Sequence, residues 1–223
     1  MRLGLALSLF AAILLSGGTI FGGTVPITIQ NYSFESPTCG TPPAGCLSGT
    51  TDWVEVGGAN AYAPVLPPGS SPAWDSLPNG TQVATINDGS MSQVLAATAT
   101  ANTTYTLSVW VSERWNSGLS FQPTIELLAG STPIITMNLS NPGGALPTTN
   151  ADGTYNWVDW TMSFTTPNSA AYLGLPLEIF LSSPGPQADF DDISLDQTVP
   201  EPTVLTLVGA GLLGLVARRR FAR

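Results

Sequence analysis

The chain has 223 residues, no histidine, six lysine-plus-arginine residues (all of them arginine) against 15 aspartates and glutamates, and a formal net charge of −9. That balance excludes nucleic acid and anionic membrane surfaces as partners, since both are held by clustered lysine and arginine. It also excludes Ser–His–Asp and Cys–His nucleophiles, histidine zinc sites, Schiff-base lysines and the Walker phosphate loop.

In chain order, Met1-Arg2 is followed by an apolar run, Leu3–Leu15, and the small residues Ser16-Gly17-Gly18. A positive start, an apolar stretch and a small-residue exit predict a secretory signal helix over residues 1–23, removed before folding. The body, 25–198, is of a size for one domain. Within it Cys39 and Cys46 bracket a loop of eight residues. Two close cysteines in an exported chain predict one disulfide, contributing on the order of 2–3 kcal/mol at most.

The remaining body reads with a period of two, not 3.6. Apolar residues alternate at Val25, Ile27 and Ile29, and again at Tyr105, Leu107, Val109 and Val111. Short strands are predicted at 125–128 and 134–139. Trp160, Met162 and Phe164 mark another, Leu177, Ile179 and Leu181 the next, and 190–195 the last. Turn signals separate them at Asn79-Gly80, Asp88-Gly89, Asn141–Gly144, Asp152-Gly153 and Pro184–Pro186. This pattern predicts an all-β antiparallel sandwich without an amphipathic helix. Trp110 falls on the polar face of its strand and Trp157 on the face away from Trp160. Trp74, Trp115 and Tyr62 fall in loop-like stretches, while Trp53, Trp160 and Tyr105 read as core.

The tail, 199–223, has three parts. Val199-Pro200-Glu201-Pro202 cannot be helix or central strand. Residues 203–217 are apolar, and Arg218-Arg219-Arg220 opens a basic end, 218–223. An apolar run followed by arginines seeks a bilayer with its positive end retained in the cytoplasm. The run is about 22 Å long as a helix, short of a bilayer core of roughly 30 Å, so a transient hydrophobic helix fits better than a permanent anchor.

These residues resemble the PEP-CTERM sorting signal of Gram-negative bacteria. The resemblance implies an exosortase-type sorting protease as partner and a destination at the cell surface, outer membrane or extracellular matrix. The body has its own resemblance. Ile29–Glu35 reads I-Q-N-Y-S-F-E, Trp53 follows, then Met91–Leu95 and Thr103–Val109, and Phe190–Leu195 closes with F-D-D-I-S-L. This order is similar to the galactose-binding-like jelly roll of secreted carbohydrate-binding modules, in which the first and last strands meet. The likeness implies a structural Ca2+ held by Glu35 and Asp192, then Asp191, and with less support Asn31. Calcium's preference for six to eight oxygen ligands suits such a set. The bland alternative is that Asp189 and Asp191 are strand-edge charges that discourage aggregation.

Sugars stack on exposed aromatic rings, so Trp110, Trp157 and Trp115 are the expected ligand-binding residues; outward tryptophans usually mark contacts. Only carboxylates remain for acid–base work, as in glycoside hydrolysis. Glu113, Glu126, Glu178 and Asp159 show no catalytic spacing. The expectation is an exported, non-catalytic protein that binds extracellular polysaccharide. Its alternative is a purely structural exopolysaccharide- or biofilm-associated protein.

Overall fold

The computed structural model describes residues 22–46, 48–66, 74–113, 122–148 and 154–199. Both expected terminal helices, Trp115, the Asp152-Gly153 turn and the sorting residues Pro200, Glu201, Pro202, Arg218, Arg219 and Arg220 lie outside them. Among the described residues no helix is long and apolar enough to cross a membrane.

Thr24–Gln197 forms one compact unit. Its strands are β1 (Thr24–Pro26), β2 (Ala44–Gly45), β3 (Val54–Ala63), β4 (Val83–Thr98), β5 (Thr104–Glu113), β6 (Thr124–Ala129), β7 (Thr132–Asn138), β8 (Val158–Thr165), β9 (Pro176–Ser183) and β10 (Ala188–Thr198). They hydrogen-bond in the order β7-β6-β9-β4-β10-β5-β8, with β3 on the other edge of β4 and β1 on β10. The fold is an antiparallel jelly roll, and the first and last strands do meet: Ile27 donates its N–H to the Leu195 carbonyl at 2.7 Å.

β4 is the strand that joins the two layers. Near its start Ala84 and Ile86 lie opposite Phe190 and Ala188 of β10. From Gly89 to Val94 it lies opposite Ser183 to Glu178 of β9. The change of partner falls at Asp88-Gly89. That pair reads as a turn signal in the sequence but forms an irregularity inside a strand, with Asp88 at φ 52° and its N–H on the Gly185 carbonyl at 3.1 Å. Some turns and some bulges both use a residue at positive φ, so Asp-Gly can announce either one, and sandwich corners are commonly turned by such a kink. Across from it the β3 register shifts between Gly57 and Gly58. A Cβ on Gly58 would run into the Asn87 carbonyl. Tyr62, expected in a loop, belongs to β3.

Both layers turn their apolar alternation inward. Tyr105, Leu107, Val109 and Val111 of β5 meet Ile125 and Leu127 of β6, Ile179 and Leu181 of β9, and Trp160 and Phe190, all fully buried. The Trp160 N–H is given to the Ala145 carbonyl at 2.7 Å. The opening turn is closed by Phe34, whose ring lies 5.1 Å from that of Trp53, and Trp53 donates to the Asn31 carbonyl at 3.1 Å. The expected disulfide joins Cys39 to Cys46.

A side chain at Gly58 has to push β3 from β4 where the sheet bends. Gly58→Val is expected to destabilise by about 2 kcal/mol, a fall in melting temperature of roughly 4–8 °C. Val56→Ala, on an exposed neighbour, should stay within about 2 °C of wild type, within the usual range of surface substitutions. Equal melts for the two variants by circular dichroism would show that the close approach is not a constraint.

Candidate functional site

Two features converge on the short segment between Trp74 and Gln82. The first is a cluster of carboxylates. In β10, Phe190 and Ile193 are both buried in the core. Two apolar residues three apart cannot share a face of a regular strand. Asp192 resolves this as an inserted residue at φ 46°, a conformation aspartate tolerates better than most side chains. The insertion places Asp191 and Asp192 together outside the apolar core, and Ile193 then pairs its N–H with the Tyr32 carbonyl at 3.1 Å.

Asp191 accepts the backbone N–H of Asn79 at 2.9 Å and that of Asp192 at 2.8 Å. Asp192 accepts the Asn79 side-chain amide at 3.2 Å. Glu35 takes the N–H groups of Thr81 and Gln82 at 2.8 and 2.7 Å and the Thr81 hydroxyl at 2.9 Å. Its carboxylate lies where a Cβ on Gly80 would stand, so glycine at that position, φ 60°, is required. The expected approach of Glu35 to the closing aspartates is thus present. Asp191 is not a strand-edge charge: it is fully buried, as is Asp189. Asp189 is held apart, accepting from Gln187 at 2.7 Å. Asn31 uses its side chain elsewhere, donating to the Ser36 and Thr51 carbonyls at 2.7 and 2.9 Å and accepting from Ser36 N–H at 3.0 Å.

Burial pushes Asp191 up to about 8, the two backbone N–H groups pull the other way, and the charges of Asp192 and Glu35 push it up again. The donor set is hard oxygen, which suits calcium or magnesium rather than zinc. Among the described residues no three Asp, Glu or Cys groups stand arranged around a common metal position, so backbone carbonyls and water would have to complete any shell.

The second feature is a cleft of about 360 Å3 lined by Asp75, Ser76, Leu77, Pro78, Trp110, Tyr155, Asn156 and Trp157. Trp110 and Trp157, picked out by strand alternation, are therefore brought to one place. Trp74, outside any strand as expected, is fully buried. Its ring lies 5.3 Å from that of Trp157 at 36°, and its N–H is given to Ser112 at 2.8 Å. Ser112 passes the bond on to the Asn156 carbonyl at 3.0 Å. Asp75 accepts from Thr154 at 3.4 Å. Sequence reasoning missed Tyr155 and Asp75: neither sits in an alternating run, and only the docking of two loops makes them neighbours.

The carboxylates named as acid–base candidates lie on four strands. Asp159 pairs across from Trp110. Glu126 and Glu178 are diagonal neighbours on the paired strands β6 and β9, where Glu126 lies opposite Phe180 and Glu178 opposite Leu128. Glu113, at the end of β5, is held above the ordinary carboxylate range by burial.

The Asp191 shift has a defined sign. An unfolded aspartate titrates near 3.9, so the folded chain binds the extra proton between that value and about 8. Its contribution to stability is full below pH ~3.9 and is lost as pH rises towards 8. In metal-free buffer the melting temperature should fall across this window, and Asp191→Asn should flatten the fall. Identical pH profiles for the two proteins would contradict the assignment.

The comparisons with known proteins bear on this geometry. A cyclase from Fischerella sp., in its apo form, aligns at a TM-score of 0.63 with 24 % identity, over 81 % of this chain and 98 % of that one. A cyclase from Fischerella sp. TAU in complex with 4-(1H-indol-3-yl)butan-2-one aligns at 0.57 with 22 % identity, over 80 % and 100 %. A carbohydrate-binding module in complex with beta-1,4-galactotriose aligns at 0.43 with 11 % identity, over 76 % and 97 %, too distant to bear on ligand or mechanism. No curated protein sequence matches. Residues 198–220 match the PEP-CTERM protein-sorting motif, which marks the chain for exosortase recognition, export and cell-surface sorting in Gram-negative bacteria. Residues 25–196 match the HpiC1-like model, described as HpiC1 cyclase, and the chain belongs to that family.

Proposed function

We propose that this exported protein binds an extracellular glycan in the cleft between Trp110, Trp157 and the 75–78 segment, and holds it without chemical change. One observation carries the reading: two tryptophans and a tyrosine share a cleft of about 360 Å3 with Asp75 and Asn156. Aromatic faces offer the apolar surface on which the C–H side of a pyranose stacks, and an amide and a carboxylate beside them take its hydroxyls. The polysaccharide partner and the delivery by a transient apolar tail helix belong to the same proposal, as does a final location at the outer membrane or in the matrix.

A second reading is cyclase chemistry on an indole-bearing substrate. Family membership favours it, and a related cyclase is known in complex with an indole ketone. The same aromatic walls would take an indole ring.

We also propose that a calcium ion binds at the Asp191–Asp192 end of β10 beside Glu35, with backbone carbonyls and water completing a shell that three carboxylates do not form by themselves. Support comes from the repulsion within the cluster and from the body's composition, which sets only Arg114 against nearly all of the 15 carboxylates. Calcium would neutralise the cluster and cross-link the opening turn to the last strand.

A glycan array separates the first two readings. Wild type should bind, and Trp110→Ala and Trp157→Ala should each weaken binding about tenfold, as expected for aromatic contacts in a cleft. Binding of 4-(1H-indol-3-yl)butan-2-one by calorimetry, with no glycan retained, would replace the glycan reading by the cyclase one. Failure of both probes would leave the purely structural role. For the cation, excess chelator should lower the melting temperature, by roughly 2.7 kcal/mol of linkage for a site filled a hundredfold over its Kd. An unchanged melt would remove calcium from the account.

A further inference from the structure

Segment 74–82 is secured at both ends. At its start Trp74 is buried against Trp157 and bonded to Ser112 on β5. At its end Asn79 gives two hydrogen bonds to carboxylates of β10, and Thr81 and Gln82 give theirs to Glu35. Between these anchors lie Asp75, Ser76, Leu77 and Pro78, four of the eight residues that line the cleft.

A strand of chain held at one end pivots about it. Held at both, with proline fixing one φ, it keeps little freedom. The Trp74 anchor belongs to the cleft's own aromatic packing, so it cannot define the wall independently. The Asn79 anchor does not belong to the cleft. Its acceptors are the carboxyl groups of Asp191 and Asp192. They sit on β10, which is paired on both sides within the sheet and so forms a rigid base. The backbone N–H of Asn79 fixes where the chain leaves Pro78, and its side-chain amide fixes the peptide's orientation.

We propose that Asn79 is the positioning residue of the cleft, transmitting the place of Asp191 and Asp192 through Pro78 and Leu77 to the wall on which the ligand rests. Asn79 does not line the cleft and acts through its neighbours. The inference rests on the reading of the cleft as the binding site. It goes further in making ligand affinity depend on a hydrogen bond outside that site, and it makes the carboxylate cluster part of the binding apparatus rather than only of the fold.

The test uses the full chain in excess chelator, so that no cation contributes. Three variants are compared. Asn79→Ala removes the amide, and Thr81→Ala removes a hydroxyl bond to Glu35 in the same cluster. Asp192→Asn keeps an acceptor and suits the positive φ, so it retains the fold should Asn79→Ala not. Thr81→Ala and Asn79→Ala are both expected to lower the melting temperature. Only Asn79→Ala should also alter the near-ultraviolet circular dichroism of the Trp74–Trp157 pair and raise acrylamide quenching of tryptophan. It should weaken binding to every array glycan that wild type retains by about tenfold, the size of one lost charge-assisted bond. Asp192→Asn should show the same pattern, reduced to about threefold. An Asn79→Ala or Asp192→Asn protein with wild-type tryptophan signals overturns the proposal, as does a Thr81→Ala protein that disturbs them equally. Wild type that binds no glycan defeats the reading of the cleft instead, and the tryptophan signals alone then decide the role of Asn79.

Discussion

Three carboxylates at the junction of the opening turn and the last strand organise this molecule. Glu35, Asp191 and Asp192 between them accept N–H groups from Asn79, Thr81, Gln82 and Asp192 and a hydroxyl from Thr81. Buried carboxylates are tolerated only where donors meet them, and here all but the Asp192 N–H come from one short segment, Asn79 to Gln82. The cluster therefore does more than sit in the sheet. It draws a loop against the strand ends, and the loop carries half of the aromatic cleft.

The strand geometry that permits this is local. A single inserted residue, Asp192, lets β10 keep Phe190 and Ile193 in the core and release two aspartates on the way. A second irregularity, at Asp88-Gly89, lets β4 leave β10 for β9. Each defect costs a little conformational energy, and each is placed where a side chain or a strand must change direction. Register also shifts at Gly57/Gly58, at Val94/Thr98 and at Leu127/Leu128, and of these departures the Asp192 insertion lies at the carboxylate cluster.

Membership in a family of cyclases and a tail that sends the chain to the cell surface pull the functional reading in two directions. On the proposed reading of the cleft, its aromatic walls would take a flat apolar ring, either the C–H face of a sugar or an indole, and the polar groups beside them would select between the two. Fold alone does not make that decision, because jelly rolls carry sites grafted on by loops.

Much of the fold was legible along the chain. Alternation at 105–111, 160–164 and 177–181 announces half-buried strands, and the two close cysteines announce their bridge, because these are properties of neighbours in sequence. β3 and the first part of β4 were not legible. Their glycines and alanines leave too little contrast for a period of two, and Asp88-Gly89 signals a turn as readily as a bulge. At the candidate site, strand alternation singles out Trp110 and Trp157, and the resemblance to galactose-binding-like modules singles out Glu35, Asp191 and Asp192. That Asn79 links the two groups, that Tyr155 and Asp75 join the tryptophans, and that Asn31 turns away to Ser36 and Thr51 was not legible. Such placements depend on contacts between residues far apart in the chain, up to 113 positions for Asn79 and Asp192. Only closure of the sheet brings those residues within reach of one another.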